Sequence, residues 1–279
     1  MEEKKRSPFA ELYAPLPDVD AYLERIGYTG GRSADFATLC ALMECQLNAI
    51  PFENLDVFHG HLEPELGTEA LFDKLIRRRR GGYCFELNGL FWRLLEALGF
   101  HSWCGVGRIA FGRDHLSPPA HRVIFVEIDG VRYFCDVGFG GPIPASPLPV
   151  TGGEIHTCAA GRRYRFLRGG EETTLFVERG GVFVPMLIFD EKPHDPVDYV
   201  PLNCFCARSP AQPFLHRQMI WRMAREGRCS IDGDLLRVTR NGVTEETRLE
   251  TETALREALL THFDIDYPGE LREWRGQGR

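Results

Sequence analysis

The chain has 279 residues, 43% hydrophobic and 26% charged, and its 33 basic against 40 acidic side chains leave a net charge of −7. That composition excludes a disordered or collagen-like chain, and the acidic balance argues against a protein that grips a nucleic-acid backbone. No apolar run approaches the roughly 18–20 residues of a membrane span, and Met1–Arg6, charged and followed by Ser-Pro, does not read as a signal peptide.

The first hundred residues read as helical. Asp18–Ile26 forms a first helix closed by Gly27 as a C-terminal cap. Ser33 is expected to cap a second, with Phe36, Leu39, Leu42, Met43 and Leu47 at helical spacing and Pro51 ending it. Thr68 is expected to cap a third, with Leu71, Phe72, Leu75 and Ile76 on one stripe, running into Arg77–Arg80 and broken by Gly81-Gly82. A fourth follows at once, carrying Phe85, Leu87, Leu90, Phe91, Leu94, Leu95 and Leu98 and closing at Gly99.

From about residue 100 the pattern turns to strands. Asp129-Gly130 between alternating β-branched and aromatic runs is a strong hairpin signal. Gly169-Gly170 and Gly180-Gly181 separate the runs Tyr164–Leu167, Thr173–Glu178 and Val182–Phe189, and the Pro-rich stretch 193–213 reads as a linker or crossing segment. Asn241-Gly242 marks another hairpin, and Glu252–His262 a last helix. The sum is a helical N-terminal part, a β middle and a small mixed C-terminal part.

Nine cysteines, an odd number in a chain long enough to build its own core, point to reduced thiols in the cytoplasm rather than a disulfide framework. Among them Cys84 stands out. Two glycines turn the chain directly before a strong helix, so Cys84 falls in the first turn, where unpaired N–H groups and the helix dipole favour a thiolate. A free thiol is only about 3% ionised at pH 7, so that placement matters for a nucleophile.

A two-residue turn at Asp129-Gly130 sets Glu127 opposite Arg132, Val126 opposite Tyr133, Phe125 opposite Phe134 and Val123 opposite Asp136. His121 and Asp136 then share a face as diagonal neighbours, within reach of a hydrogen bond. Cys84, His121 and Asp136 thus fit nucleophile, general base and orienting acid. Cys204-Phe-Cys206, near His194 and His216, lacks the spacing of a metal site, so no metal is expected, and Cys135 is placed in the core.

These residues also carry a resemblance. Arg80-Gly-Gly-Tyr-Cys-Phe-Glu86, His121 and Asp136-Val-Gly-Phe-Gly140, with Pro51-Phe-Glu-Asn-Leu55, resemble the arylamine N-acetyltransferase family over roughly residues 16–268. The resemblance implies an α+β protein of three parts: a helical bundle over 1–98, a β-barrel over 99–203 and a small α/β lid over 204–279. It implies a catalytic Cys84, His121 and Asp136, with Phe52 and Phe139 lining the acceptor pocket and an ion pair of Glu53 with Arg80 bracing the site. Ser117 and Gly140 fall at positions expected to contact CoA, and Arg77–Arg79 suit either CoA phosphates or a solvated helix end.

The implied reaction is ping-pong acetyl transfer from acetyl-CoA to an arylamine, arylhydroxylamine or hydrazine through an acetyl-cysteine. Partners are then these small molecules, not nucleic acid or membrane. The rival readings are an amide synthase of the same fold that closes a polyketide chain, and a cysteine hydrolase or transglutaminase-like enzyme with the same chain order Cys, His, Asp.

Overall fold

The computed structural model describes residues 8–271 apart from 143, 159–160 and 225–226, so the segment Met1–Arg6 lies outside the described residues. The helical part comprises α1 (Val19–Ile26), α2 (Phe36–Ala49), the one-turn α3 (Leu55–Phe58), α4 (Thr68–Phe72) and α5 (Cys84–Ala97), with the short strand β1 (Phe52–Glu53) between α2 and α3. Asp18 opens α1 by accepting the Ala21 N–H at 3.0 Å, and Gly27, at φ +68°, closes it.

Two expected caps move. The cap of α2 is Asp35, not Ser33: its carboxylate takes the Thr38 N–H at 2.8 Å, sits directly before the first apolar residue and complements the helix dipole. Gly67 occupies the cap position of α4, because the Thr68 hydroxyl is engaged elsewhere, donating to the Ala14 carbonyl at 3.0 Å. Beyond Phe72 the helix widens into a π-helical turn, Asp73–Arg77.

The middle of the chain forms β2 (His101–Ile109), β3 (Pro119–Ile128), β4 (Val131–Cys135), β5 (Leu148–Pro149), β6 (Ile155–Thr157), β7 (Arg163–Gly169), β8 (Glu172–Arg179) and β9 (Val182–Phe189). They make one antiparallel sheet in the order β5-β4-β3-β2-β9-β8-β7-β6. Its two edges are consecutive in sequence. Between them the Val150 N–H bonds to the Arg132 carbonyl and the Gly153 N–H to the Phe166 carbonyl, each at 2.8 Å, so the sheet is drawn into a nearly closed barrel. Val123, Phe125, Phe134, Phe166 and Phe189 fill the interior, as small barrels require. Ile124 and Val126, on the other face of β3, pack with α5.

Asp129 and Gly130 both adopt positive φ, 52° and 76°, as a type I′ turn demands. Phe125 faces Phe134 and Glu127 faces Arg132, in the register read from the sequence. The ladder stops at Ile124 with Cys135, so Asp136 lies one residue past the strand and does not pair with Val123. The chain leaves the sheet there because Asn88 of α5 accepts the Val137 N–H at 2.8 Å.

The stretch 193–213 is not an extended linker. It contains a 3₁₀ turn, Pro196–Asp198, and then α6 (Tyr199–Arg208). Pro201 falls in the first turn of α6, where a backbone N–H has no helical acceptor to lose. Then come β10 (Met219–Ala224), β11 (Gly227–Asp232), β12 (Leu235–Arg240), β13 (Val243–Arg248) and α7 (Glu252–Phe263). The second sheet runs β1-β10-β11-β12-β13, with Phe52 opposite Trp221, so the helical part contributes its edge strand.

Candidate active site

The loop before α5 is clamped to β1. A Cβ on Gly81 would lie 2.3 Å from the Pro51 carbonyl oxygen, and the Gly82 carbonyl accepts the Glu53 N–H at 2.9 Å. The Tyr83 N–H then donates to Glu86 Oε2 at 3.0 Å, and the helix starts at Cys84.

Cys84 is buried, with Sγ 4.0 Å from the Ala120 carbonyl oxygen. Its sulfur hydrogen-bonds the His121 imidazole and accepts the Arg122 backbone N–H. His121 Nε2 lies 2.6 Å from Asp136 Oδ2, which leaves Nδ1 to face the sulfur. Asp136 is fully buried, and its other oxygen accepts the Asn88 amide at 2.9 Å and the Gly138 N–H at 2.8 Å. Asn88 spends its second amide hydrogen on the Arg122 carbonyl at 2.6 Å. Gly138 must be glycine here, since a Cβ would come within 2.8 Å of the Cys84 Cα. Three elements converge on these groups: the start of α5, the start of β3 and the loop after β4.

Burial pushes the Cys84 thiol up, while the His121 charge and hydrogen bond and the Arg122 N–H pull it down. Burial also opposes a charge on His121, but Asp136 and then Cys84 override it and hold the imidazole up at about 10. Burial is the larger effect on the thiol, whose net direction is up, so the imidazolium held by Asp136 is the group that favours the thiolate at this sulfur.

A cavity of about 500 Å³ opens over Cys84 and His121. Phe52 and Phe139 both line it, and Phe139 meets His121 edge-on at 5.5 Å between ring centres. Phe111, Phe205, Phe214 and Met219 complete an apolar wall. The outer rim carries Arg113, His115 and Arg217, and no carboxylate lines the cavity among the described residues. Ser117 and Gly140 are also in the wall; the Ser117 hydroxyl is buried with no hydrogen-bond partner among the described residues.

A sequence model described as N-acetyltransferase matches residues 35–271. The arylamine N-acetyltransferase of Mycolicibacterium smegmatis is 35% identical over 254 residues, spanning 89% of this chain and 92% of that protein. The Mycobacterium marinum arylamine N-acetyltransferase, solved in complex with CoA, superposes with a TM-score of 0.82 at 32% identity, covering 89% of this chain and 93% of that one. The chain belongs to the arylamine N-acetyltransferase family. In Salmonella typhimurium, a relative 36% identical over 180 residues (64% of this chain, 63% of that one) is an arylamine N-acetyltransferase and N-hydroxyarylamine O-acetyltransferase.

In this N-acetyltransferase the loop before Cys84 rests on a buried ionic cluster, larger than the single pair expected from sequence. Arg80 Nη2 lies 2.5 Å from Glu53 Oε1 and 3.0 Å from Asp56 Oδ1, while Lys74 Nζ lies 2.7 Å from both Asp56 Oδ2 and Glu86 Oε1. Lys74 and Asp56 were invisible as such in the sequence, since a lysine and an aspartate on helical segments ordinarily face water. Asn88 carried a usable signal: it stands four residues after Cys84 on one helix, hence on the same face. Arg77, Arg78 and Arg79 do not approach the cavity. They pair with Glu69, Asp73 and Asp264 at 2.5, 2.7 and 2.6 Å, so a phosphate role for them is set aside. Cys204-Phe-Cys206 lies in α6, which turns Cys204 to solvent and buries Cys206.

Proposed function

We propose that this chain carries acetyl groups from acetyl-CoA to arylamines, arylhydroxylamines or hydrazines by a ping-pong route through acetyl-Cys84. The observation that carries this reading is the hydrogen-bonded run Cys84, His121, Asp136 at the floor of an aromatic cavity. Cys84 is the nucleophile, His121 its proton partner, and Asp136 the group that orients the imidazole and stabilises its charge.

In the first half, the thiolate attacks the thioester carbonyl, and the S–C bond to CoA breaks as CoA leaves with the proton held on His121. The Cys84 N–H, in the first turn of α5 where a helix leaves its N–H groups without helical acceptors, serves as the oxyanion donor in this reading. On the rim Arg113 suits the phosphates of CoA, whereas Arg217 is paired with Asp232 and His115 with Asp114; Ser117 and Gly140 are further contacts in the wall. In the second half, an aromatic amine stacks among Phe52, Phe139 and Phe214 and attacks the acetyl carbonyl. His121 takes the proton it sheds, and the thiolate returns. Nine cysteines with no disulfide between them among the described residues suit a reducing compartment such as the cytoplasm.

Mixing the protein with acetyl-CoA and no amine should add one acetyl mass to the Cys84 peptide, discharged on adding an arylamine. An unmodified peptide, or discharge by water as fast as by amine, would overturn the reading in favour of a hydrolase.

A further inference from the structure

Acetyl transfer leaves a second buried thiol beside Cys84 without a task. α6 lies against the start of α5: the Tyr83 hydroxyl donates to Asn203 Oδ1, and the rings of Phe85 and Tyr199 are 6.0 Å apart. Tyr199, Asn203 and Cys206, separated by four and then three residues, occupy one face of α6, and all three are buried. At the end of that face Cys206 Sγ lies 3.7 Å from the Ala120 carbonyl oxygen, the same oxygen that Cys84 Sγ approaches to 4.0 Å. The two sulfurs flank a single atom.

We propose that Cys206 is the resolving thiol of Cys84, closing a Cys84–Cys206 disulfide when a hydroperoxide oxidises the nucleophile. In the first step the Cys84 thiolate attacks the peroxide and the O–O bond breaks. The sulfur is oxidised to sulfenic acid, and the peroxide is reduced to water or alcohol with the proton from His121. In the second step the Cys206 thiol attacks that sulfur. The S–S bond forms, the S–O bond breaks, and the oxygen leaves as water with the thiol proton. Burial pushes the Cys206 thiol up to about 12, so it stays protonated, and its attack needs that proton to pass to the departing oxygen as the S–S bond forms. A disulfide is reversible by thiols, whereas further oxidation to sulfinic acid is not, so the pair preserves an enzyme that otherwise loses its nucleophile permanently.

This inference rests on Cys84 being the reactive thiolate of the proposed function, not on the identity of the acyl donor. The test treats the full-length protein with hydrogen peroxide, traps free thiols and maps peptides without reduction. The Cys84 and Cys206 peptides should appear joined, two hydrogens lighter than their sum, with activity restored by dithiothreitol. Cys206→Ser should keep unoxidised turnover within about two-fold yet lose more than about nine-tenths of its recoverable activity, its Cys84 passing to sulfinic acid. Cys206→Ala repeats the test should the serine disturb folding, and the wild-type map needs no variant. No cross-link, or equal recovery in wild type and variant, overturns the proposal. A cross-link without any acetyl adduct sinks the acyl-transfer reading instead and leaves this one standing.

Discussion

Two buried polar assemblies meet at the first turn of α5, and they are built on opposite rules. On one side His121, Asp136 and Asn88 form a chain in which both Asp136 oxygens and both Asn88 amide hydrogens are used, and the imidazole hydrogen-bonds the Cys84 sulfur. On the other, Glu53, Asp56, Lys74, Arg80 and Glu86 set three carboxylates against two cations. The first assembly holds its charge where it can be exchanged. The second pairs every charge it holds, with burial lifting the Glu86 carboxyl to about 7. The contrast teaches that positioning and chemistry are divided between two networks that share only the backbone of residues 80–88.

Substitutions can break that division. The largest effect is expected from Asp136→Asn, which keeps the hydrogen-bonding shape but removes the charge that holds His121 up: turnover should fall by about 10³–10⁴-fold with the circular dichroism spectrum unchanged. A loss of folding with normal turnover in the surviving fraction would erase the distinction. Lys74→Met strikes the other network by stranding Glu86 and leaving Asp56 with Arg80 alone, and should cost about 3–5 kcal/mol in a urea titration. Its folded fraction should retain the alkylation rate of Cys84. A Cys84 that becomes unreactive in the folded variant would show that the cluster tunes the sulfur directly.

Acid should probe the same cluster. Burial raises Asp56, but the charges of Lys74 and Arg80 override it and bring the carboxyl down to about 2. The folded state therefore gains stability from Asp56 above the ordinary carboxylate range near 4, and loses it as pH falls through about 2. Asp56→Asn should flatten that acid limb of a stability–pH curve. A limb that persists unchanged would assign it to other carboxylates. His121 works in the opposite sense. Its raised value stabilises the fold fully below about 6.5, and that contribution fades as pH rises through about 10.

Smaller again, Asn88→Ala leaves Asp136 one donor short and the Val137 N–H unpaired, for about 1–3 kcal/mol of stability and a partial loss of turnover. Arg77→Ala, at an exposed pair, should change neither melting temperature nor turnover. A drop in affinity for acetyl-CoA in that variant would return the arginine run to the substrate site.

The placement of Cys84 and His121 was legible in the sequence, because local rules set both: a diglycine turn before a helix for Cys84, and a type I′ hairpin for the register of β3 with β4. The same rules extended the ladder one pair too far. Asp136 leaves the strand to satisfy Asn88, and that pull comes from α5, 48 residues earlier in the chain. α6 was hidden for a similar reason. Its prolines argue for extended chain in isolation, yet Pro201 is harmless in a first turn, and the face carrying Tyr199, Asn203 and Cys206 packs on β3 and meets Tyr83 and Phe85 at the start of α5. Lys74 is the least legible of all. Only the three carboxylates gathered around it in space, from three separate segments, explain why an ammonium group is buried there.

The two-residue strand β1 has a consequence for engineering. Phe52 floors the cavity, while its backbone bonds to Trp221 of the C-terminal sheet on one side and bridges to Gly82 of the nucleophile loop on the other. Substrate preference is therefore not a portable module. A C-terminal piece transplanted from a relative would arrive without the seam that aligns it to the sulfur, and such a chimera should recover selectivity only when Phe52 and its flanking residues are exchanged together with the graft.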